Sequence, residues 1–258
     1  AHTDAPTAVS IMLAGVLIKM GGYGMIRIGV SMFPEVAHDY GWAMASLATI
    51  AVLYGAMVTM RQSDLKRLIA FSSISHMGYV LLGVSTIGSV VANPIGLTGA
   101  GMQMFTHGTI TGLLFLLVGI IYDKAHTRYI PHLGGLAARM PMVAVAFVVA
   151  SLASLGLPGL SGFVSEILVF LGAFPVYAPA AILSAFGIVI TAGYILWCVK
   201  NVMFGPLTKK GEESEDATLF EGIPIALLLI SIVVVGIYPA ILTEVFKEGV
   251  VTILGRVG

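Results

Sequence analysis

Long apolar runs alternate with short links along nearly the whole chain. Runs of at least about 18 apolar residues are candidates for membrane-spanning helices, and no segment shows the period of two that a strand requires. The pattern therefore predicts an all-α, polytopic membrane protein of about seven transmembrane helices, forming a single domain over residues 1–258. The predicted segments are 6–33, 40–60, 64–87, 97–122, 141–173, 178–204 and 221–242. The links are FPEVAHD, RQSDLKR, SVVANPIG, residues 123–140, FPVYAP and KKGEESED.

Composition supports a lipid environment and excludes several classes of function. Hydrophobic residues make up 58% of the chain, charged residues 10%, and the mean hydropathy is +1.00, whereas soluble domains carry about 25% charged residues. Because the net charge is zero, nothing suggests nucleic acid as a partner. The single cysteine, Cys198, has no disulfide partner, and no Cys/His group has metal-ligand spacing. We expect neither a metal nor a redox cofactor in this chain.

The distribution of basic residues predicts an orientation. If seven helices alternate, the N-terminus shares one side with the links after segments two, four and six, which we call the even-numbered links. That side carries nine basic residues and the other side three, when Lys19 is left out as buried. Basic residues concentrate on the cytoplasmic side, so we expect the N-terminus to be cytoplasmic and the C-terminus outside. The nine are Arg61, Lys66, Arg67, Lys124, Arg128, Arg139, Lys200, Lys209 and Lys210, and the three are Arg27, Lys247 and Arg256.

Two segments contain helix-breaking residues. The motif GLPGLSG at 156–162 has apolar residues on both sides, so the fifth helix should open near the middle of the membrane. Freed backbone groups at such a break build ion sites in transporters, but a proline kink absorbed by packing is equally consistent with the pattern. The motif GGYG at 21–24 is weaker, because close helix packing also recruits small residues. The acidic cluster at 212–216 is most simply a solvated loop, made of Glu212, Glu213, Glu215 and Asp216.

Two ionisable residues fall inside apolar runs. Lys19 lies in IMLAGVLIKMGGYG, and Glu166 lies in GFVSEILVFLGAF just after the break. An ionisable group at the bilayer centre costs about 2.5–3.5 kcal/mol on insertion scales. Snorkelling toward an interface explains basic residues near segment ends, such as Lys66, Arg67 and Lys200, but it explains Lys19 and Glu166 poorly. We therefore predict that both are titratable and alternate between charge states in a proton relay.

Two histidines are also deep in apolar segments. His76 lies in SSISHMGYVLLG and His107 in GMQMFTHGTITGLLFLL. Histidine can donate and accept a proton near neutral pH, although a lone histidine in a helix is more often a satisfied core group. Hydroxyl groups accompany both, and these either support water wires or serve as interhelical hydrogen bonds. The hydroxyl residues are Ser72, Ser73 and Ser75 near His76, and Thr106, Thr109 and Thr111 near His107.

Five strings in order resemble the antiporter-like subunits of respiratory complex I, and the M-type chains of NADH:quinone oxidoreductase most of all. The strings are HTDAPTAVSIMLAGVLIKMGGYG, QSDLKRLIAFSSISHMGYVLLG, QMFTHGTITGLLFLL, YDKAHTR and GLPGLSGFVSEILVF. The resemblance covers almost the whole chain. It implies a fold of inverted five-helix repeats, in which residues 1–33 are the last helix of the first repeat. Residues 40–204 would then form the second repeat, and 221–258 a terminal helix and tail.

The resemblance also implies functional residues and partners. It implies a central proton file of Lys19, then His76 and His107, then Glu166 toward the exit, with Arg128 as a structural loop residue. Quinone, flavin and iron–sulfur clusters would belong to partner subunits, and the chain's neighbours would be other membrane-arm subunits of the complex and the lipid bilayer. The location would be a bacterial inner membrane or a thylakoid-type membrane.

Two features qualify what the resemblance implies. The family's inlet glutamate and its partner lysine lie upstream of residue 1, so we expect this chain to be part of a longer protein. The residue at position 166 also separates the relatives. Where this chain has Glu166, the L- and N-type chains and many cation/proton antiporter subunits look like they carry lysine. The glutamate therefore favours the M type. Alternatives are a Mrp-type Na⁺/H⁺ antiporter subunit, a hydrogenase-linked membrane subunit, or a membrane subunit that transports nothing.

Overall fold

The computed structural model describes residues 3–88, 94–212 and 214–255, and the regular secondary structure of these residues is helical apart from an isolated bridge between Asp64 and Tyr129. Short helical turns are Thr86–Gly88, Ile130–His132, Leu136–Ala138 and Lys209–Glu212. The longer helices are α1 Thr7–Val30, α2 Pro34–Asp39, α3 Gly41–Thr59, α4 Leu65–Ser85, α5 Pro94–Ala125, α6 Pro141–Ser154, α7 Ser161–Ala173, α8 Ala178–Met203, α9 Leu219–Ile237 and α10 Ala240–Leu254.

Seven passes of the bundle match the seven predicted segments. Over the described ranges, six helices are long and apolar enough to cross a membrane, namely α1, α3, α4, α5, α8 and α9. The fifth predicted segment is divided into α6 and α7, which meet end to end at residues 155–160. The all-α membrane fold and its discontinuous helix are therefore confirmed.

Local capping explains where several helices begin. Proline occupies the first position of α2 and α6, where its missing N–H is not needed. The Asp64 carboxylate accepts a hydrogen bond from the Arg67 backbone N–H at 3.0 Å and caps α4. Thr218 and Glu221 form a reciprocal capping box at the start of α9.

The N-terminus and the even-numbered links meet at one end of the bundle, which we call the even-link end. Arg128, which follows α5, donates to the Thr3 carbonyl at 3.0 Å. The Thr208 hydroxyl, which follows α8, donates to the His132 carbonyl at 3.1 Å. Because Asp64 also bridges to Tyr129, the helices alternate in direction as the sequence predicts.

Helix α5 is the central helix of the bundle. It contacts α1, α4, α6, α7, α9 and α10, and most of its side chains are buried. Close approach between α5 and α7 depends on glycines, since a Cβ on Gly99 would lie 2.6 Å from the Val169 backbone nitrogen. A Cβ on Gly172 would similarly lie 2.3 Å from Gly96. The ionisable residues on α4, α5 and α7 are therefore held close together.

The first helix departs from regular geometry, but not at the GGYG motif. It contains two π-helical stretches, Leu13–Leu17 and Met25–Val30, while residues 21–24 are regular α-helix. A Cβ on Gly22 would lie 2.8 Å from the Met104 sulfur. This motif therefore serves close helix packing, which was one of the two interpretations of the sequence, and not a helix break. The wide π-helical turns lie on either side of it.

Two expectations at the C-terminal end were wrong. The seventh segment ends at Ile237 rather than at 242, and a further helix, α10, packs its Phe246 ring against Gly101 of α5. Asp216 is not simply solvated, because its carboxylate accepts the backbone N–H groups of Met142 and Val143 at 2.8 and 3.3 Å. It thereby caps the start of α6. Glu213 and the first five residues of the SVVANPIG link lie outside the described residues.

Candidate functional site

His76 and Glu166 form a buried pair in the bundle interior. His76 Nδ1 on α4 lies 3.5 Å from Glu166 Oε1 on α7. Their relative exposures are 3% and 4%. A carboxylate at this distance favours an N–H at Nδ1, on the side of the ring that faces Glu166.

The helix break contributes directly to this pair. Ser154, the last residue of α6, places its Oγ 3.2 Å from His76 Nε2. If Nδ1 carries the hydrogen, Nε2 accepts from the serine hydroxyl, and both ring nitrogens are satisfied. Gly156 has φ +79°, and a Cβ there would lie 2.5 Å from Glu166 Oε2. The break is therefore part of the site's wall, which favours the ion-site interpretation of GLPGLSG over a kink absorbed by packing.

His107 lies beside His76 and has unused polar atoms. The two imidazole rings are 5.3 Å apart between centroids, with planes inclined by 38°. Within the described residues, neither His107 nitrogen has a hydrogen-bond partner. A small cavity with about 10 Å³ of room for water centres borders both rings, which is about the size needed for one water. Its walls also include Gln103, Thr106 and Glu166.

Lys19 approaches the site from α1. Its side chain is 7% exposed, and its Nζ donates to the Ala14 carbonyl in the wide turn Leu13–Leu17. A Cβ on Gly108 would lie 3.8 Å from Lys19 Cε and 2.8 Å from the Gly15 carbonyl oxygen, so α1 and α5 cross next to His107.

The four predicted residues are brought together in the bundle interior. Lys19 lies where α1 crosses α5 next to His107, and His76 Nδ1 lies 3.5 Å from Glu166 Oε1. The sequence of groups through the bundle is therefore Lys19, His107, His76 and Glu166, which we call the ionisable file.

Several hydroxyl groups named from the sequence bond within their own helices, whereas the Thr106 hydroxyl reaches Ser165 on α7. Ser72 and Ser73 donate to the Ile69 carbonyl, and Thr111 donates to the His107 carbonyl, all within their own helices. Hydroxyl groups of this kind satisfy themselves locally.

Sequence reasoning missed a polar cluster beside Glu166. The Ser165 hydroxyl lies 2.5 Å from Gln103 Oε1 and 2.8 Å from the Thr106 hydroxyl, and all three residues are buried. Ser154 was also missed, although its position two residues before the break was a usable signal. Ser165 and Gln103 gave no such signal, because their pairing requires the crossing of α5 and α7.

The basic residues expected to snorkel do not behave alike. Arg67 and Lys200 are exposed, as that interpretation requires, whereas Lys66 is only 5% exposed, although it also lies at the end of its helix. Its Nζ donates to the Ala5 carbonyl at 2.5 Å, because the residues before α1 fold over the start of α4. Arg128 Nε donates to Asp64 Oδ2 at 2.7 Å, a contact that fits the structural role implied for Arg128.

The chain is similar to known proteins over most of its length. The family described as NADH:quinone oxidoreductase/Mrp antiporter, TM, matches residues 1–191. Subunit M of the NADH-quinone oxidoreductase of Rhodobacter capsulatus is 43% identical over 251 residues, which are 97% of this chain and 48% of that protein. The chain thus spans about half the length of the curated relatives it matches.

Solved structures agree at the level of the fold. A chain of respiratory complex I from Thermus thermophilus with bound NADH is similar with a TM-score of 0.89 and 28% identity, over 98% of this chain and 52% of that chain. A chain of the Mrp complex from Dietzia sp. DQ12-45-1b is similar with a TM-score of 0.89 and 22% identity, over 100% of this chain and 57% of that chain.

Proposed function

The chain belongs to the NADH:quinone oxidoreductase/Mrp antiporter membrane family, and from that premise we propose that it moves protons as part of an antiporter-like subunit of a membrane NADH:quinone oxidoreductase. Its relatives over nearly the whole chain are M subunits of such enzymes. Translocation would be driven by quinone reduction elsewhere in the complex. Quinone, flavin and iron–sulfur clusters would be held by partner subunits, and the membrane arm would supply the neighbours of this chain.

The observation that carries the proposal is the ionisable file itself. Four titratable side chains from α1, α5, α4 and α7 meet in the bundle interior, each at most 7% exposed. Each charged group placed at such a depth costs about 2.5–3.5 kcal/mol, against a net stability of roughly 5–15 kcal/mol. In a subunit that transports nothing, no transport function would explain why this free-energy cost is retained.

The contacts suggest an order of proton transfers along the file. Neutral His76, with its hydrogen on Nδ1, takes a second proton at Nε2 from His107 through one water, for which the shared cavity has room. The resulting imidazolium gives its Nδ1 proton to Glu166 Oε1, 3.5 Å away, so that an N–H bond breaks, an O–H bond forms and His76 is neutral again. Lys19 in turn donates a proton to His107, and its ammonium becomes an amine. Glu166 releases its proton toward the exit and returns to a carboxylate.

Electrostatic coupling lets each transfer influence the next. Two unit charges 4 Å apart interact by about 4 kcal/mol at an effective dielectric of 20. That energy corresponds to about three decades in an equilibrium constant. Because His76 and Glu166 lie within this range, the charge state of either one strongly biases the other.

The experiment measures proton translocation by the full-length protein in its native complex. Inverted membrane vesicles carrying Lys19→Ala or Glu166→Gln are driven with NADH, and the pH gradient is followed with a fluorescent dye beside quinone reductase activity. We expect each variant to assemble and to lose most of the gradient. The matched control is Lys200→Ala at the exposed end of α8, which should behave like the unmodified protein. Normal gradients in both site variants would refute the proposal.

A second candidate is a subunit of a Na⁺/H⁺ antiporter, because the Mrp complex chain has the same fold. The two functions are separated by imposing a Na⁺ gradient on the vesicles in the absence of NADH. Proton movement that requires Na⁺ would favour the antiporter. A gradient that depends on NADH and is indifferent to Na⁺ would favour the NADH:quinone oxidoreductase.

We further propose that the even-link end faces the cytoplasm of a bacterial inner membrane or its thylakoid-type equivalent. The excess of basic residues on that end, nine against three, supports this orientation. A cysteine placed at exposed Arg67 should be modified by an impermeant thiol reagent in inverted vesicles but not in intact cells. The reverse result would invert the topology.

A further inference from the structure

A polar cavity of about 440 Å³ opens at the even-link end, apart from the ionisable file. Residues 3–7 form one wall, and the other walls include Lys66 of α4, Val118 and Tyr122 of α5, and Arg128. Its rim is open, because Tyr122 and two residues of the 3–7 segment are exposed. Since one water occupies about 30 Å³ of liquid, the cavity has room for several.

Lys66 is a buried cation in the cavity wall. It is 5% exposed, and its Nζ donates to the Ala5 carbonyl at 2.5 Å. Among the described residues, no carboxylate oxygen lies within 4.0 Å of this ammonium. An ammonium has three N–H donors, so two remain for water in the cavity.

The other charged groups around Lys66 are already engaged or exposed. Arg128, Asp64 and Asp4 all act on it electrostatically. Arg128 and Asp64 pair with each other at 2.7 Å, while Asp4 lies exposed at the rim. Lys66 is therefore the buried titratable group at this cavity that lacks a charged partner.

Buried hydroxyl groups lie between the cavity and the histidines at matching depths. Ser73 follows Lys66 by seven residues on α4, and Thr111 precedes Val118 by seven residues on α5. Seven residues of helix rise about 10 Å. Both hydroxyl residues are at most 2% exposed. His76 lies three residues beyond Ser73, and His107 lies four residues beyond Thr111. On both helices a hydroxyl group therefore lies between the cavity and the histidine.

Helix α1 packs beside these two helices, and we call the line of buried polar groups on α1, α4 and α5 between the cavity and the histidines the seam. Ser10 is fully buried and lies about one turn inside the cavity wall. The Lys19 side chain turns back toward the even-link end, because Nζ reaches the carbonyl of Ala14, five residues earlier. Ala14 follows residue 7 by seven positions, about 10 Å. The Lys19 ammonium is thus at the depth of the hydroxyls on α4 and α5.

We propose that this cavity is an aqueous inlet through which protons reach the ionisable file, with Lys66 as the proton-accepting group at its inner wall. The inference rests on the proposed function of the chain. A hydronium in the cavity would give its proton to the neutral Lys66 amine and leave water, so that one O–H bond breaks and one N–H bond forms. The ammonium would then return the proton to a water in the seam, from which Lys19 accepts it.

The competing explanation is that Lys66 only fastens residues 3–7 to α4. Arginine distinguishes the two, because it keeps the positive charge and the donors to the Ala5 carbonyl but does not deprotonate in proteins. In NADH-driven vesicles of the full-length complex, we expect Lys66→Arg to assemble and to reduce the proton gradient at least tenfold. A Lys66→Arg variant that pumps like the unmodified protein would overturn the inlet.

Accessibility gives a second test that does not depend on how well Lys66 variants assemble. In a Cys198→Ser background, Val118→Cys places a thiol in the cavity wall, and Val80→Cys places one in the apolar core at similar burial, 1% against 0%. A small charged thiol reagent applied from the even-link side should modify position 118 and block pumping, and should leave position 80 unmodified. An unreactive position 118 would overturn the inlet.

The outcomes separate this inference from the function on which it rests. Should Lys19→Ala and Glu166→Gln abolish the gradient while Lys66→Arg leaves it intact, the inlet fails and the proton-translocating function stands. Should all three variants pump normally, the function itself fails.

Discussion

Replacing Gly156 with alanine should uncouple the helix break from the His76–Glu166 pair. Gly156 has φ +79°, and an added Cβ would lie 2.5 Å from Glu166 Oε2. Ordinary contact begins near 3.4 Å, so the carboxylate must move by about 1 Å, in keeping with the low tolerance of packed interiors for added atoms.

The size of the effect follows from the geometry. A shift of about 1 Å stretches the 3.5 Å separation of His76 Nδ1 and Glu166 Oε1 to about 4.5 Å. At an effective dielectric of 20, the attraction between the charged groups falls by about 1 kcal/mol, or about fivefold in the population of the charge-separated pair. Direct proton transfer also becomes impossible at that distance without a bridging water, so translocation should fall by more than fivefold.

Gly159 provides the matched control. It lies three residues further along the same break with φ +93°, but a Cβ there meets no atom within 4 Å. Alanine in the left-handed region costs about 1–2 kcal/mol at either position. Thermal unfolding of the full-length complex should therefore occur at a lower temperature for both Gly156→Ala and Gly159→Ala, with the larger shift for Gly156→Ala because of its clash, while only Gly156→Ala loses the NADH-driven proton gradient. Equal losses of gradient in the two variants would refute the steric argument.

Three further changes test other contacts. Ser154→Ala leaves His76 Nε2 without its 3.2 Å partner and should lower translocation, with recovery in Ser154→Thr; unaltered pumping in the alanine variant would contradict the pairing. Asp64→Asn should keep the α4 cap but lose the ion pair, destabilising by up to about 1 kcal/mol, whereas Asp64→Ala should lose about 1 kcal/mol more; equal melting temperatures would contradict this. Gly172→Val should prevent assembly of the complex, because Gly96 of α5 leaves no room for a side chain there. Gly193→Val should assemble normally, since nothing lies within 4 Å of a Cβ at that position. Blots of native membrane complexes measure the assembly.

The sequence was sufficient for the fold and for choosing ionisable residues that the structure buries near one another. Seven apolar segments predicted seven passes, and GLPGLSG predicted the opening between α6 and α7. Lys19 and Glu166 could be chosen because a charged group within an apolar run is costly wherever the neighbouring helices lie. These properties depend on local composition alone, which a single sequence contains.

The contacts within the site could not be predicted, because they depend on how helices cross. The pairing of His76 with Glu166, and the position of His107 between Lys19 and His76, follow from where α1, α4, α5 and α7 cross one another. The burial of Lys66 could not be predicted for the same reason. Its position near the start of the predicted segment 64–87 suggested an exposed side chain, but residues 3–7 cover it.

The narrowness of the space between the two imidazoles has a consequence for selectivity. A void that accepts one water cannot admit an alkali cation together with its shell of coordinated waters. Such a cation would have to be stripped bare at this junction and recoordinated by protein oxygens. A proton relayed from one hydrogen bond to the next needs no such room. The constriction would therefore pass protons and exclude hydrated alkali cations, although both carry a positive charge.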